Sequence, residues 1–135
     1  EQAEHFINAV GEDLSGRLIP AVEVRLRGLY RLLPPDYYEA ADNLADFCDR
    51  IEKQYGVRPV IYCTERTYKN IVASDSRFNK DKIWYESLFS KPDEDMDWTF
   101  WTYTNRVKFS FYESGEYLHM TVFNGSEDDF KKLII

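Results

Sequence analysis

The chain has 135 residues, a length that fits one domain with a buried core, and we predict a single domain over residues 1–135. Hydrophobic residues make up 44% and charged residues 30%, a composition that excludes a disordered chain and a membrane-embedded one. The net charge of −7 argues against a nucleic-acid partner, because binding phosphates requires a concentrated basic surface. The two cysteines and two histidines match no metal-binding spacing, so we predict no metal and no cofactor.

Two long helices are predicted in the first half of the chain. Apolar side chains recur at helical spacing over residues 2–15, and Gly16 supplies a stop. The stronger pattern covers residues 37–55, with Asp36 placed to cap the first turn and Gly56 placed to end the helix. Its apolar stripe includes a cysteine at position 48, for which we predict a buried thiol.

Short apolar runs predict strands at residues 18–24, 57–63, 82–86, 98–103 and 118–123. A short helix capped by Thr64 follows the second run, and another capped by Ser126 closes the chain. Strands that alternate with helices favour an α/β fold with a parallel sheet covered on both faces. In such sheets function gathers at the carboxyl ends of the strands, which here carry Glu23, Arg25 and Glu86.

Five segments, in this order along the chain, resemble glycoside hydrolase family 25. They are Leu18-Ile19-Pro20-Ala21-Val22-Glu23-Val24-Arg25, Tyr55-Gly56-Val57-Arg58-Pro59-Val60-Ile61-Tyr62, Lys82-Ile83-Trp84, Trp98-Thr99-Phe100-Trp101-Thr102-Tyr103 and Val122-Phe123-Asn124-Gly125-Ser126. Each segment alone is a weak signal, but their order and spacing extend over nearly the whole chain.

The resemblance implies a lysozyme-like muramidase fold, which is a partial TIM-like (β/α) barrel lacking about the first three strands of the family. Members of the family cut the glycan of peptidoglycan. The resemblance therefore implies peptidoglycan or another glycan as partner, and an extracellular or cell-envelope location. The given chain shows no signal peptide, and its start at Glu1 says little about location.

The polar positions of the family pattern have changed in this chain. The segment that usually reads Leu-Pro-Pro-Val-Leu-Asp-x-Glu has Glu23 in place of the Asp and Arg25 in place of the Glu, which is the family's acid/base. The Gln that usually follows the seventh-strand Trp is Thr102. On the last strand His119 replaces an Asp and Thr121 replaces an Asn.

These replacements predict a catalytically inactive domain. Cleaving a glycoside requires a group that donates a proton to the leaving oxygen, and an arginine has no transferable proton near neutral pH. We expect Arg25 to hold Glu23 ionised, in an ion pair that includes Glu86. The alternative role for Arg25 is to bind an anionic group of a ligand. The predicted function is glycan binding or protein assembly; the alternative is an active glycosidase that uses Glu23 or Glu86.

The predicted substrate-binding residues are aromatic side chains and one histidine: Tyr62, Trp84, Trp101, Tyr103 and His119. The rings of Trp84, Trp101 and Tyr103 either form a platform for sugars or belong to the core of the barrel. For His119 a hydrogen-bonded structural role competes with a role in the site.

A sheet that lacks three strands of a barrel has two open edges, here near residues 18–25 and 118–123. We predict that residues 105–117 cover an edge or that a homodimer pairs the edges. Residues 107–112 are predicted as a short strand or an extended arm.

Overall fold

A computed structural model describes residues 1–33, 35–112 and 115–135. Its regular elements are four helices and five strands: α1 (Gln2–Val10), β1 (Ala21–Val24), α2 (Tyr37–Tyr55), β2 (Val60–Thr64), α3 (Glu65–Thr67), β3 (Ile83–Glu86), β4 (Phe100–Val107), β5 (Leu118–Phe123) and α4 (Glu127–Lys131). The irregular turns include 3-10 turns at Gly28–Arg31 and Ser76–Phe78, and α3 continues as a π-helical turn over Tyr68–Val72. The predicted α/β fold class is confirmed.

The five strands form one sheet in the order β1-β2-β3-β4-β5. The first four are parallel, and β5 runs antiparallel to β4. The prediction of a purely parallel sheet is therefore wrong at its last strand. The segment between β4 and β5 contains no crossover helix within its described residues, so the chain returns beside β4 in the opposite direction.

Helix α2 begins and ends where the sequence predicts. The carboxylate of Asp36 accepts hydrogen bonds from the backbone N–H groups of Tyr38 and Glu39, and Gly56 takes the left-handed conformation (φ 74°) that ends the helix. Its apolar stripe packs on the sheet, where the Cys48 thiol is fully buried as predicted.

The opposite face of the sheet carries aromatic side chains instead of a long helix. Phe130 of α4 packs edge-on against Phe100 and Phe123, and Trp84 contacts Phe100 with ring centroids 5.1 Å apart. The prediction that helices cover both faces is thus replaced by one helical face and one face closed mainly by aromatic rings.

Several boundaries differ from those predicted. Helix α1 stops at Val10 rather than near residue 15, because Gly11 adopts φ 96° and breaks the repeat. The strand predicted over residues 18–24 starts at Ala21. The strand predicted over residues 98–103 is β4, which continues to Val107. No strand forms within the described residues 108–112.

The carboxyl terminus covers the approach to β1. The backbone N–H of Ile19 donates to the carbonyl of Leu133 at 2.8 Å, and Leu18 forms an antiparallel bridge with Ile134. The described part of residues 105–117 completes β4 and connects it to β5. Coverage of a sheet edge by that segment and a homodimer through the sheet edges both stay predictions.

Candidate functional site

The strand register places the family-pattern residues on one face at the carboxyl ends of the parallel strands. Glu23 is level with Tyr62, and Tyr62 with Trp84. One step further toward the strand ends, Glu86 is level with Thr102. Since side chains two residues apart point to the same side of a strand, these two rows lie side by side. Glu23 and Thr102 are 79 positions apart in the sequence. The register of the strands, and not any local contact along the chain, brings them to the same part of the sheet.

Arg25 contacts two carboxylates at the end of β1. Its Nη2 lies 2.7 Å from Oε1 of Glu23 and 3.8 Å from Oε2 of Glu86. The side chains of Arg25 and Glu23 are 43% and 41% exposed, whereas that of Glu86 is 15% exposed. The ion pair predicted for these three residues is present, and Arg25 also keeps one side toward solvent.

Tyr62 holds the carboxylate of Glu86 in place through a hydrogen bond. Its hydroxyl donates a hydrogen bond to Oε2 of Glu86, the same oxygen that faces Arg25. Burial raises the pKa of the Tyr62 phenol, and the carboxylate of Glu86 raises it further. The phenol therefore stays protonated and acts as a donor, which keeps Glu86 in the role of an acceptor.

A chain of hydrogen bonds extends this polar row across the sheet. The indole N–H of Trp84 donates to Oγ1 of Thr102 at 2.9 Å, and that hydroxyl lies 2.7 Å from Oγ1 of Thr121. Thr102 is 1% exposed, and the Trp84 ring stands edge-on to Tyr62 with centroids 5.1 Å apart. Thr102 and Thr121 thus satisfy each other, and Thr102 also satisfies the indole.

Two of the predicted sugar-binding rings lie on the other face of the sheet. Trp101 packs against the helix-covered core, and its indole N–H donates to the carbonyl of Ser87 at 3.0 Å. Tyr103 contacts the Trp101 ring on that same side. Trp101 and Tyr103 therefore do not share a face with Trp84, because adjacent side chains of a strand point in opposite directions. For Trp101 these contacts agree with the alternative of a place in the core. Of the three, only Trp84 faces the Glu23–Glu86 side, and His119 is exposed on the edge strand.

An open cleft of about 510 Å³ lies beside the ion pair. Its lining includes Arg25, Glu86 and Thr64, all at strand ends, together with three arginines that sequence reasoning did not select: Arg27, Arg31 and Arg66. A signal was available, because residues 24–35 contain three arginines and no acidic residue in a chain that is strongly acidic overall. Tyr62, Trp84 and His119 do not line this cleft.

Within the described ranges, no group of three or more His, Cys, Asp and Glu side chains is placed to hold a metal ion. The same part of the chain includes no helix with the length and apolar character needed to span a bilayer. The strand ends carry guanidinium, carboxylate, phenol and hydroxyl groups.

Solved structures similar to this one share its fold. A family 25 glycosyl hydrolase from Bacillus anthracis is 29% identical, with a TM-score of 0.83 over 99% of this chain and 62% of that chain. A family GH25 lysozyme from Aspergillus fumigatus is 19% identical, with a TM-score of 0.73 over 98% of this chain and 65% of that one. A bacterial lysozyme from Streptomyces coelicolor is 23% identical, with a TM-score of 0.72 over 98% of this chain and 64% of that one.

The chain therefore spans less than two thirds of the length of each of these proteins. A comparison with curated proteins found no match. The family model for glycosyl hydrolases family 25 matches residues 1–110. Because that match covers well over half of the 135 residues, this chain belongs to glycosyl hydrolases family 25.

Proposed function

We propose that this chain binds cell-wall glycan in the cleft at its strand ends and does not cleave it. The observation that carries the proposal is the position of Arg25, which contacts Glu23 and Glu86 while lining the open cleft. Peptidoglycan is the glycan we propose, and the cell envelope or the extracellular space is the location, both by membership of the family.

Cleavage of a glycoside needs a proton donor beside the scissile bond. Glycosidases use two carboxyl groups about 5–9.5 Å apart, one of which protonates the leaving oxygen. In this chain a guanidinium contacts both available carboxylates, and it has no proton to give at neutral pH. General acid catalysis contributes about 10²–10⁴-fold, so its loss removes most of the rate.

Hydrolysis through Glu23 or Glu86 is the alternative function. Each carboxylate is already engaged: Glu23 by Arg25, and Glu86 by Arg25 and the Tyr62 hydroxyl. A carboxyl group that is held by neighbouring side chains is not free to reach the leaving oxygen of a glycoside. This arrangement supports binding over hydrolysis.

The shape and accessibility of the cleft support a ligand. Its volume of about 510 Å³ lies within the range of about 300–1,000 Å³ that is usual for sites that take small molecules. Burying the Arg25 guanidinium in a site that has lost its function would cost free energy of desolvation. Its side chain is instead 43% exposed. The exposed guanidinium fits a residue that contacts both its own carboxylates and a bound molecule.

Co-sedimentation with insoluble peptidoglycan tests the proposal. We expect the unmodified chain to sediment with peptidoglycan, and Arg25→Ala to reduce the bound fraction several-fold. Arg17→Ala is the matched control, since Arg17 is an exposed arginine in the segment before β1, away from the carboxyl ends. Absence of binding by the unmodified chain, or equal binding by Arg25→Ala, would contradict the proposal; self-association without binding would favour the assembly role.

A further inference from the structure

We infer that the cleft selects glycans that carry oxyanion groups, carboxylate or phosphate, through a cluster of four arginines. The cluster consists of Arg25, Arg27, Arg31 and Arg66 and is called the arginine cluster below. The inference rests on the proposed glycan-binding function and adds the chemical class of the ligand.

The arginine cluster reverses the local charge of an acidic protein. The chain as a whole carries a net charge of −7, but among the described residues four arginines and a single acidic residue, Glu86, line the cleft. If Glu23 and Glu86 are both counted against the arginines, two positive charges still remain. A concave surface that concentrates one sign of charge attracts ligands of the opposite sign.

Only Arg25 among the four forms an ion pair with a described residue. Arg27 and Arg31 are exposed, and neither has a carboxylate partner among the described residues. Holding unpaired like charges close together costs free energy, which an anionic ligand would offset. The cluster therefore has donor capacity that the folded chain itself does not use.

Arg66 holds the cluster together. Its Nη1 donates to the carbonyl of Arg31 at 2.7 Å, and its Nη2 donates to the hydroxyl of Tyr37 at 3.4 Å. This contact ties the turn at Gly28–Arg31 to the helix that follows β2, so the backbone that carries Arg31 has a fixed support. Arg31 itself is one of the residues that line the cleft.

Arginine is the side chain best suited to such a ligand. The planar guanidinium presents paired N–H groups that match the two oxygens of a carboxylate or phosphate. Neutral sugars offer hydroxyl and amide groups, which gain little from an unpaired positive charge. We therefore expect the cleft to discriminate by charge rather than by ring type.

Calorimetric titration of the chain with three soluble probes tests the inference: an oligogalacturonate for carboxylate, a phosphorylated mannose oligosaccharide for phosphate, and a neutral chito-oligosaccharide of equal length. We expect at least one anionic probe to bind ten-fold or more tightly than the neutral probe, and the better of the two identifies the oxyanion. The affinity should fall as the salt concentration rises. Arg27→Gln and Arg31→Gln should each weaken that binding about ten-fold, as expected for one lost charge-assisted hydrogen bond, while Arg17→Gln leaves it unchanged.

The outcomes separate this inference from the proposed function. Equal binding of neutral and anionic probes, or anionic binding that Arg27→Gln and Arg31→Gln do not change, overturns the inference and leaves glycan binding intact. Binding of peptidoglycan with no binding of either anionic probe likewise overturns only the inference. No binding of peptidoglycan or of any probe overturns both.

Discussion

Among the charged residues that reach the surface in the described part of the chain, Arg58 should destabilise the fold most when it is replaced. Arg58 donates two hydrogen bonds to the carboxylate of Asp81, from Nε to Oδ1 at 2.6 Å and from Nη2 to Oδ2 at 3.1 Å. The Asp81 side chain is only 2% exposed, so Arg58→Met leaves a buried carboxylate without its partner. Breaking a buried pair on one side costs about 3–5 kcal/mol. For a domain of this size that corresponds to a melting temperature lower by roughly 10 °C or more.

Chemical denaturation monitored by tryptophan fluorescence measures this effect. Asp49→Ala is the control, because its pair with Arg58 at 2.7 Å is solvent-exposed on the Asp49 side and contributes about 0–1 kcal/mol. The double variant Arg58→Met/Asp81→Leu should recover most of the loss, since no charge is then left buried. A loss below about 1 kcal/mol for Arg58→Met would refute the reasoning.

Two further predictions concern stability. Burial raises the pKa of the Cys48 and Cys63 thiols and of the Tyr85 phenol to about 12. The folded chain therefore holds these protons more tightly than the unfolded chain, so stability should be complete below about pH 9 and fall as the pH rises toward 12; a urea midpoint that is constant or rises between pH 8 and pH 11 would contradict this. Thr102→Val removes the acceptor of the Trp84 indole N–H and should lower the free energy of unfolding by about 1–3 kcal/mol. A surface substitution that affects no specific contact changes that free energy by about 0.5 kcal/mol or less. A change of about 0.5 kcal/mol or less for Thr102→Val would therefore show that the buried hydrogen bond does not stabilise the fold.

The regular elements could be predicted because their signals are local. The apolar stripe of α2, its Asp36 cap and its Gly56 terminus all lie in one stretch of chain. Capping boxes at Thr64 and Ser126 are likewise local, and both are present. The reversal of β5 and the pairing of Leu18 with Ile134 depend on contacts between distant segments, so composition and spacing do not specify them.

The residues of the candidate site likewise divide into those that local sequence predicts and those that depend on contacts between distant segments. The resemblance to the family put Glu23 and Arg25 at one strand end, and their ion pair follows from the two-residue spacing. For Trp101 the sequence left a sugar platform and the core as alternatives, and its place on β4 turns it toward the helix-covered core. Arg66 reaches the cleft from α3, the helix that follows β2, and nothing in its local sequence indicates that it lies near Arg31.

The measurement that tests the account most directly is the release of reducing ends from purified peptidoglycan, with an active lysozyme as positive control. We expect the unmodified chain to bind the glycan and to release no reducing ends between pH 4 and pH 8, because the guanidinium of Arg25 contacts the carboxylates of both Glu23 and Glu86 and cannot itself donate a proton. Release that disappears in Glu23→Gln or Glu86→Gln would contradict it and would assign hydrolysis to that carboxyl group.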